Sequence, residues 1–311
     1  MSTHWTEHEA PDQTGRTAVV TGASSGLGYE TARVLARRGA TVVLACRSPE
    51  RTAAAMARIR AESPGASLRT VTLDLASQAS VRAAADRLMA EHPRIDVLVN
   101  NAGALVRDYA LTEDGFERTL ATNHLGAFAL TGLVLPSLLA TEGSRVVTVS
   151  SVGHKQGEMH FDDLQWAQGY RSHQAYFQSK LANLLFMYEL QRRLAASGGP
   201  TIAVAAHPGN ARTGFGGDQV HIRVTTDPRL RFLTWWLLQS PVTAALATVR
   251  AAVDPAATGG EYFGPEGRNE WTGYPVRVES STRSHDVDAQ RRLWTESERL
   301  TGVTFPLTVS R

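Results

Sequence analysis

The strongest constraint on the fold is an alternation that runs through the first two thirds of the chain. Six short β-branched runs, Thr17–Thr21, Thr41–Cys46, Leu68–Leu73, Val97–Asn100, Arg145–Ser150 and Ile202–Ala206, are separated by longer helix-favouring stretches. These stretches are Gly26–Arg38, Pro49–Glu62, Ser77–Glu91, Thr112–Leu139 and Gln174–Ala196. The short runs are nearly all apolar, as expected of parallel strands covered on both faces. Strand–helix–strand units join parallel strands by right-handed crossovers, which predicts an α/β, doubly wound Rossmann fold. Tyr262-Phe263-Gly264-Pro265 reads as a last strand, giving a mostly parallel seven-stranded sheet with helices on both faces. Ser197-Gly198-Gly199-Pro200 is long enough only to end a helix and turn, so a single domain is expected.

Composition removes several function classes. Of 311 residues, 42% are hydrophobic and 20% charged, which is ordinary for a globular chain. Lys+Arg 32 against Asp+Glu 30 gives a formal charge of +2, too balanced to hold nucleic acid by its backbone. The single cysteine, Cys46, leaves no internal disulfide framework or multi-cysteine metal cluster and suits a reducing, cytoplasmic location. Met1–Thr14 has no apolar run behind a basic region, so a secretory signal is not expected. The most apolar stretches, Ala127–Ala140 and Phe232–Leu238, fall short of the roughly 20 residues of a transmembrane span. The first reads as a buried helix.

Directly after the first strand stands Thr21-Gly22-Ala23-Ser24-Ser25-Gly26-Leu27-Gly28, opening into a helix. Gly22 and Gly26 permit a tight turn and close approach of backbone to a pyrophosphate, while Gly28 lets helix pack on strand. The helix amino terminus adds unpaired N–H groups and a positive dipole end. The second strand ends in Arg47, where an NAD site usually carries a carboxylate for the ribose hydroxyls. A guanidinium there attracts the 2′-phosphate of NADP and can lie against adenine, so NADP(H) is the expected cofactor.

Tyr176 and Lys180 lie four apart in a helical pattern and share one face. A phenol titrates near ~10 and is a poor catalyst at neutral pH, but an ammonium close by favours the phenolate. Val147-Thr148-Val149-Ser150-Ser151 brings hydroxyls to the carboxyl edge of the sheet, and Asn100-Asn101-Ala102-Gly103 ends the fourth strand. Together with Asn123 and Pro208-Gly209 followed by Thr213, this ordered set resembles the short-chain dehydrogenase/reductase family over roughly residues 17–263.

The resemblance implies a role for each matching position. Tyr176 would be the general acid in carbonyl reduction and the base in alcohol oxidation, and Lys180 would hold the nicotinamide ribose and tune Tyr176. Ser151, rather than its neighbour Ser150, would hydrogen-bond the substrate oxygen. Asn123 would hold a water that links Lys180 to solvent. Ser24, Ser25 and Leu27 would complete the phosphate loop, Asp74 with Leu75 would meet adenine, and Asn101, Ala102 and Gly103 would pass the adenosine ribose. Pro208, Gly209 and Thr213 would contact the nicotinamide end. Asn123 and Asp74 also have plain readings as backbone caps. The expected partners are a small-to-medium lipophilic carbonyl or alcohol and a second copy of the chain in a homo-oligomer.

Ser151 and Tyr176 are 25 positions apart, about twice the family's usual gap. This insertion, with Phe161-Asp162-Asp163-Leu164-Gln165-Trp166, Ala45-Cys46-Arg47, Thr122–Gly126 and Lys180-Leu181-Ala182-Asn183, resembles the retinol dehydrogenase-like and protochlorophyllide reductase-like branch. The expected layout is a polar tail at 1–14 and one domain at 15–283, with an insertion at 152–174 and a substrate segment at 214–240. A helical tail follows at 284–311. Leu230–Leu238 has three readings: an apolar pocket wall, a helix packed on the core or a second subunit, or a peripheral membrane contact. His154, His160 and His173 show no metal-ligand spacing and are read as polar loop residues, so no metal is expected. A nucleotide-binding sensor of the same fold is the competing function, although a sensor needs no acid–base pair.

Overall fold

The computed structural model describes residues 4–211 and 238–307. Among the described residues eight strands form one sheet: β1 (Thr17–Thr21), β2 (Thr41–Cys46), β3 (Leu68–Thr72), β4 (Val97–Asn100), β5 (Arg145–Val149), β6 (Ile202–Ala206), β7 (Tyr262–Pro265) and β8 (Pro275–Arg277). Their order is β3-β2-β1-β4-β5-β6-β7-β8, parallel throughout except for the β7–β8 pair. The expected seven strands therefore gain one. β8 is only three residues long and opens on a proline, too little pattern to register as a strand in the sequence.

Helices α1 (Gly26–Arg37), α2 (Pro49–Glu62) and α7 (Pro241–Val253) cover one face of the sheet, and α3 (Gln78–Glu91), α5 (Gly126–Leu139) and α6 (Ser172–Ser197) the other. Successive strand residues serve opposite faces. Val20, Leu44, Val99, Val147 and Val204 belong to the first core, and Val19, Val43, Leu98, Val146 and Ala203 to the second. Both faces are buried, which is why the strands lack polar alternation.

The helix expected over 112–139 begins later. Glu117 is its cap, accepting N–H bonds of 2.7 Å from both Thr119 and Leu120, and residues 112–116 form a turn closed by a Leu111–Glu117 bridge. A short α4 (Arg118–Leu120) then widens into a π-turn over Ala121–Leu125 before α5 continues. Residues 118–139 are together long and apolar enough to resemble a membrane span, yet 78% of the most apolar window is buried inside the domain.

The stretch before β1 docks on α1: Glu7 pairs with Arg33 and Arg37 at 3.1 Å each. At the other end, α8 (Val287–Thr301) lays Trp294 against Phe128 of α5 and Phe186 of α6, with Phe305 packed beside them.

Candidate active site

A cavity of about 850 Å³ opens at the carboxyl edge of the sheet, between β1 and β4, where the strand order reverses direction. Its wall contains Gly22, Ser24, Ser25, Gly26, Leu27 and Gly28 from the glycine loop, and Arg47, Asp74 and Leu75 from the next two strand exits. Asn101, Ala102 and Gly103 follow β4, Ser151 follows β5, Tyr176 and Lys180 come from α6, and Pro208 and Gly209 follow β6. Asn123 stands behind this wall. Thr213 and residues 230–237 lie outside the described residues, while Leu238 lines the cavity.

The glycines are required by contacts. Gly22 and Gly26 have φ of +68° and +56°, the left-handed region that a side chain disfavours. A Cβ on Gly28 would stand 2.4 Å from Asn101 Nδ2 and 2.5 Å from the Gly22 oxygen. The glycine loop is thus pressed against the Asn101 segment, which Thr21 holds: its Oγ1 accepts from Asn101 N at 2.9 Å and from Ala102 N at 3.0 Å. Ser25, the cap residue of α1, makes no side-chain bond to the helix, so the first N–H groups are not satisfied by a cap. Asn101 Oδ1 is buried without a partner. A backbone cradle, an uncapped helix end and an orphaned acceptor fit a dinucleotide with its pyrophosphate at α1.

The end of the cavity beside α2 is basic. Arg47 is 76% exposed at the cavity rim, with Nη1 3.9 Å from Asp74 Oδ2. Arg51, one turn into α2, donates from Nη2 to Ser25 Oγ at 3.2 Å. It was not singled out in the sequence, although it follows Arg47 by four residues on a helix capped by Ser48. Asp74 Oδ1 accepts from Ala76 N at 3.0 Å, so this carboxylate does cap its own turn while also lining the cavity.

At the other end the two serines divide their work. Ser150 is buried, and its Oγ donates to the Lys180 carbonyl at 2.8 Å. Ser151 is half-buried, accepts from Gly153 N at 3.1 Å and hydrogen-bonds the Tyr176 hydroxyl. Lys180 donates to the Val149 carbonyl at 3.2 Å, and its Nζ lies 5.7 Å from the centre of the Tyr176 ring.

Electrostatics here differ from the expectation that Lys180 brings the phenol toward neutrality. Burial pushes Tyr176 up to about 12, against a smaller downward pull from Ser151, and burial pulls Lys180 down to about 8. Withdrawing both groups from water penalises the charged form of each more than their separation rewards it. Asn123 is tied more tightly than a simple water-holder: Nδ2 donates at 2.9 Å to both the Ala104 carbonyl and Ser179 Oγ, and Oδ1 accepts from Ala104 N at 2.6 Å. A Cβ on Gly103 would lie 3.3 Å from both Asn123 Oδ1 and Lys180 Nζ, so the two groups flank the same glycine.

Two supports were missed in the sequence. His154 is fully buried, not a polar loop residue: its Nδ1 is 2.6 Å from the Ser151 carbonyl, and Nε2 accepts from Ser281 N at 3.1 Å. Burial pulls it down to about 4, which keeps the ring neutral. Behind Gly209, Glu270 Oε2 lies 3.1 Å from His207 Nε2, and Oε1 accepts from Lys155 at 2.7 Å. These partners are 63 and 115 positions from Glu270, so no local pattern announces them.

Comparison with known proteins gives a consistent result. The family model for short chain dehydrogenase matches residues 16–221. The chain is 41% identical over 296 residues to retinol dehydrogenase 13 of Homo sapiens, covering 94% of this chain and 86% of that protein. It is 42% identical over 298 residues to polyprenol dehydrogenase of Mus musculus, covering 94% and 85%. A crystal structure of an uncharacterised protein from Mycobacterium paratuberculosis superposes with a TM-score of 0.81 at 42% identity, covering 98% of this chain and all of that one. An NADPH-bound short chain oxidoreductase from Pseudomonas aeruginosa superposes at 0.64 with 25% identity, covering 81% and 95%.

Proposed function

Because the chain belongs to the short-chain dehydrogenase family, on its retinol dehydrogenase-like branch, we propose that it is an NADP(H)-dependent oxidoreductase. It interconverts a lipophilic carbonyl and the corresponding alcohol. The observation that carries this reading is that Ser151, Tyr176 and Lys180 share one cavity with the glycine loop and Arg47. Arg47 and Arg51 together favour NADP(H) over NAD(H), because both guanidinium groups stand where a 2′-phosphate would need charge. The names of the relatives, retinol and polyprenol dehydrogenases, favour a long apolar alcohol or its carbonyl. A single cysteine, with no partner in the chain for a disulfide, suits a reducing cytoplasm.

In this reading Gly22–Gly28 and the α1 amino terminus hold the pyrophosphate, Asp74 and Leu75 border adenine, and Asn101–Gly103 border the adenosine ribose. Pro208 and Gly209 hold the nicotinamide end, and the cofactor supplies or accepts the hydride. Ser151 Oγ donates to the substrate oxygen and stabilises negative charge as it develops there. Tyr176 supplies the proton to that oxygen in reduction. A phenol held up at about 12 keeps its proton at neutral pH, which favours the acid role over the base role. Lys180 places an ammonium beside Tyr176 and the nicotinamide ribose. Asn123 holds the Ala104 backbone and the π-turn in place behind it, and a water beside it would connect Lys180 to solvent.

The test is NADPH oxidation with a panel of aliphatic, isoprenoid and aromatic aldehydes and ketones. Wild type is expected to oxidise NADPH with the apolar members, and Tyr176→Phe and Lys180→Ala to lose that activity while still folding. A wild type that binds NADPH and reduces no carbonyl would make the protein a sensor.

A further inference from the structure

The buried polar residues near the cavity include one that the mechanism leaves unused. Asn183 lies three residues after Lys180 and seven after Tyr176, on the same face of α6. It is 3% exposed, and its Nδ2 donates to the Val149 carbonyl at 3.1 Å. That carbonyl is also the one that receives Lys180 Nζ at 3.2 Å. Val149 ends β5, two residues before Ser151, so one oxygen at the end of the sheet anchors two groups from the catalytic helix.

Asn183 itself has polar groups behind it. It stands beside the ring of His124, which is 1% exposed in the π-turn next to Asn123 and whose Nδ1 has no hydrogen-bond partner among the described residues. His124 Nε2 lies 2.8 Å from Ser297 Oγ on α8. Ser297 gives its own proton to the Leu293 carbonyl at 2.7 Å, so it accepts from the imidazole, and Nε2 carries the hydrogen. Ser297, His124, Asn183 and Val149 thus line up as buried polar groups from the C-terminal helix to the oxygen under Lys180, hydrogen-bonded pairwise as Ser297–His124 and Asn183–Val149. Buried polar groups cost stability unless paired, and an apolar filling would pack the same space more cheaply.

We propose that Asn183 is a positioning residue for the Lys180 ammonium: bonded to the same carbonyl and backed by His124 and Ser297, it fixes where that ammonium stands in the cavity wall. The inference rests on Lys180 acting as proposed above, so its test includes a readout independent of turnover.

In protein labelled with ¹³C at lysine Cε, the Lys180 resonance, assigned by its loss in Lys180→Ala, reports the titration of the ammonium. Asn183→Leu removes the second donor on that carbonyl and replaces the amide with methyl groups, and the midpoint is expected to shift by about half a unit or more. An unchanged midpoint overturns the proposal whether or not any substrate is found. With a substrate, Asn183→Leu is expected to lower kcat about tenfold, the size of one lost buried hydrogen bond, with KM within about twofold. The same substitution is expected to cost nothing further in Lys180→Ala, because a residue acting through Lys180 has no effect without it. Losses that add in the double variant overturn the proposal. Asn183→Ser, which keeps a hydroxyl donor, is expected to recover part of both effects, and it carries the comparison if the leucine variant does not fold. A wild type that turns over no carbonyl would sink the proposed reaction and leave the titration comparison standing.

Discussion

Replacing Arg47 and Arg51 should convert the cofactor preference, and the structure sets the size of the effect. Arg47 is 76% exposed and 3.9 Å from Asp74, so it is not locked in an ion pair that a phosphate would have to break. Arg51 is already drawn to the glycine loop by its 3.2 Å bond to Ser25. Two unit charges about 4 Å apart interact by about 1 kcal/mol in water and about 4 kcal/mol at the effective dielectric of a protein surface. The exposure of Arg47 places it toward the lower figure, while a charge-assisted hydrogen bond is worth about 1.5–3 kcal/mol. A loss near 2 kcal/mol corresponds to about thirtyfold in dissociation constant. Arg47→Ser and Arg51→Ser are each expected to weaken NADPH by about ten- to thirtyfold, and together by more than about a hundredfold. NADH, without the 2′-phosphate, should change by less than about twofold in each variant. The assay is fluorescence titration of both nucleotides at low and high salt. Salt should weaken NADPH binding to wild type far more than to the double variant, because exposed charges are screened within about 10 Å. A double variant that still prefers NADPH as strongly as wild type would refute the placement of the phosphate.

Three further outcomes are expected. Tyr176→Phe removes the proton donor and should lower kcat by about 10²–10⁴, with the melting temperature nearly unchanged, in stopped-flow NADPH oxidation and calorimetry. Gly28→Ala forces a methyl to within 2.4 Å of Asn101 Nδ2, so about 1–3 kcal/mol of stability should be lost and NADPH binding with it, read by denaturant unfolding and titration. His124 and His154 are both held down to about 4 by burial, from an ordinary value of 6.5. Between those values the unfolded chain binds more protons than the native one, so stability should fall as pH drops from 6.5 to 4. His154→Gln should flatten that slope in urea titrations across the same window; an unchanged slope would remove His154 as a contributor.

Much of this was readable in one dimension because it depends on local spacing. β1, β2, β4 and β6 have the bounds their apolar runs predict, since a strand buried on both faces must be apolar from end to end. The glycine loop and the Tyr176–Lys180 pair were equally visible, because a tight turn and a helix face are short-range properties. The start of the helix before Asn123 was misread because Glu117 caps it, and a buried carboxylate in a run of turn residues carries no distinctive sequence sign.

The succession of strands along the chain and the residues at their carboxyl ends follow from the sequence alone: apolar runs and chain connectivity point to a doubly wound sheet that buries every strand on both faces. Those same ends necessarily meet along one edge, so the glycine loop, Arg47, Ser151 and Tyr176 were bound to converge. What the tertiary structure decided is their electrical state and support. Burial, not Lys180, governs the Tyr176 phenol, and His154, Asn183 and Glu270 hold the site through contacts with distant segments. Desolvation depends on how much chain surrounds a group, and hydrogen-bond partners depend on which segments fold together. Neither quantity exists until the chain has closed on itself.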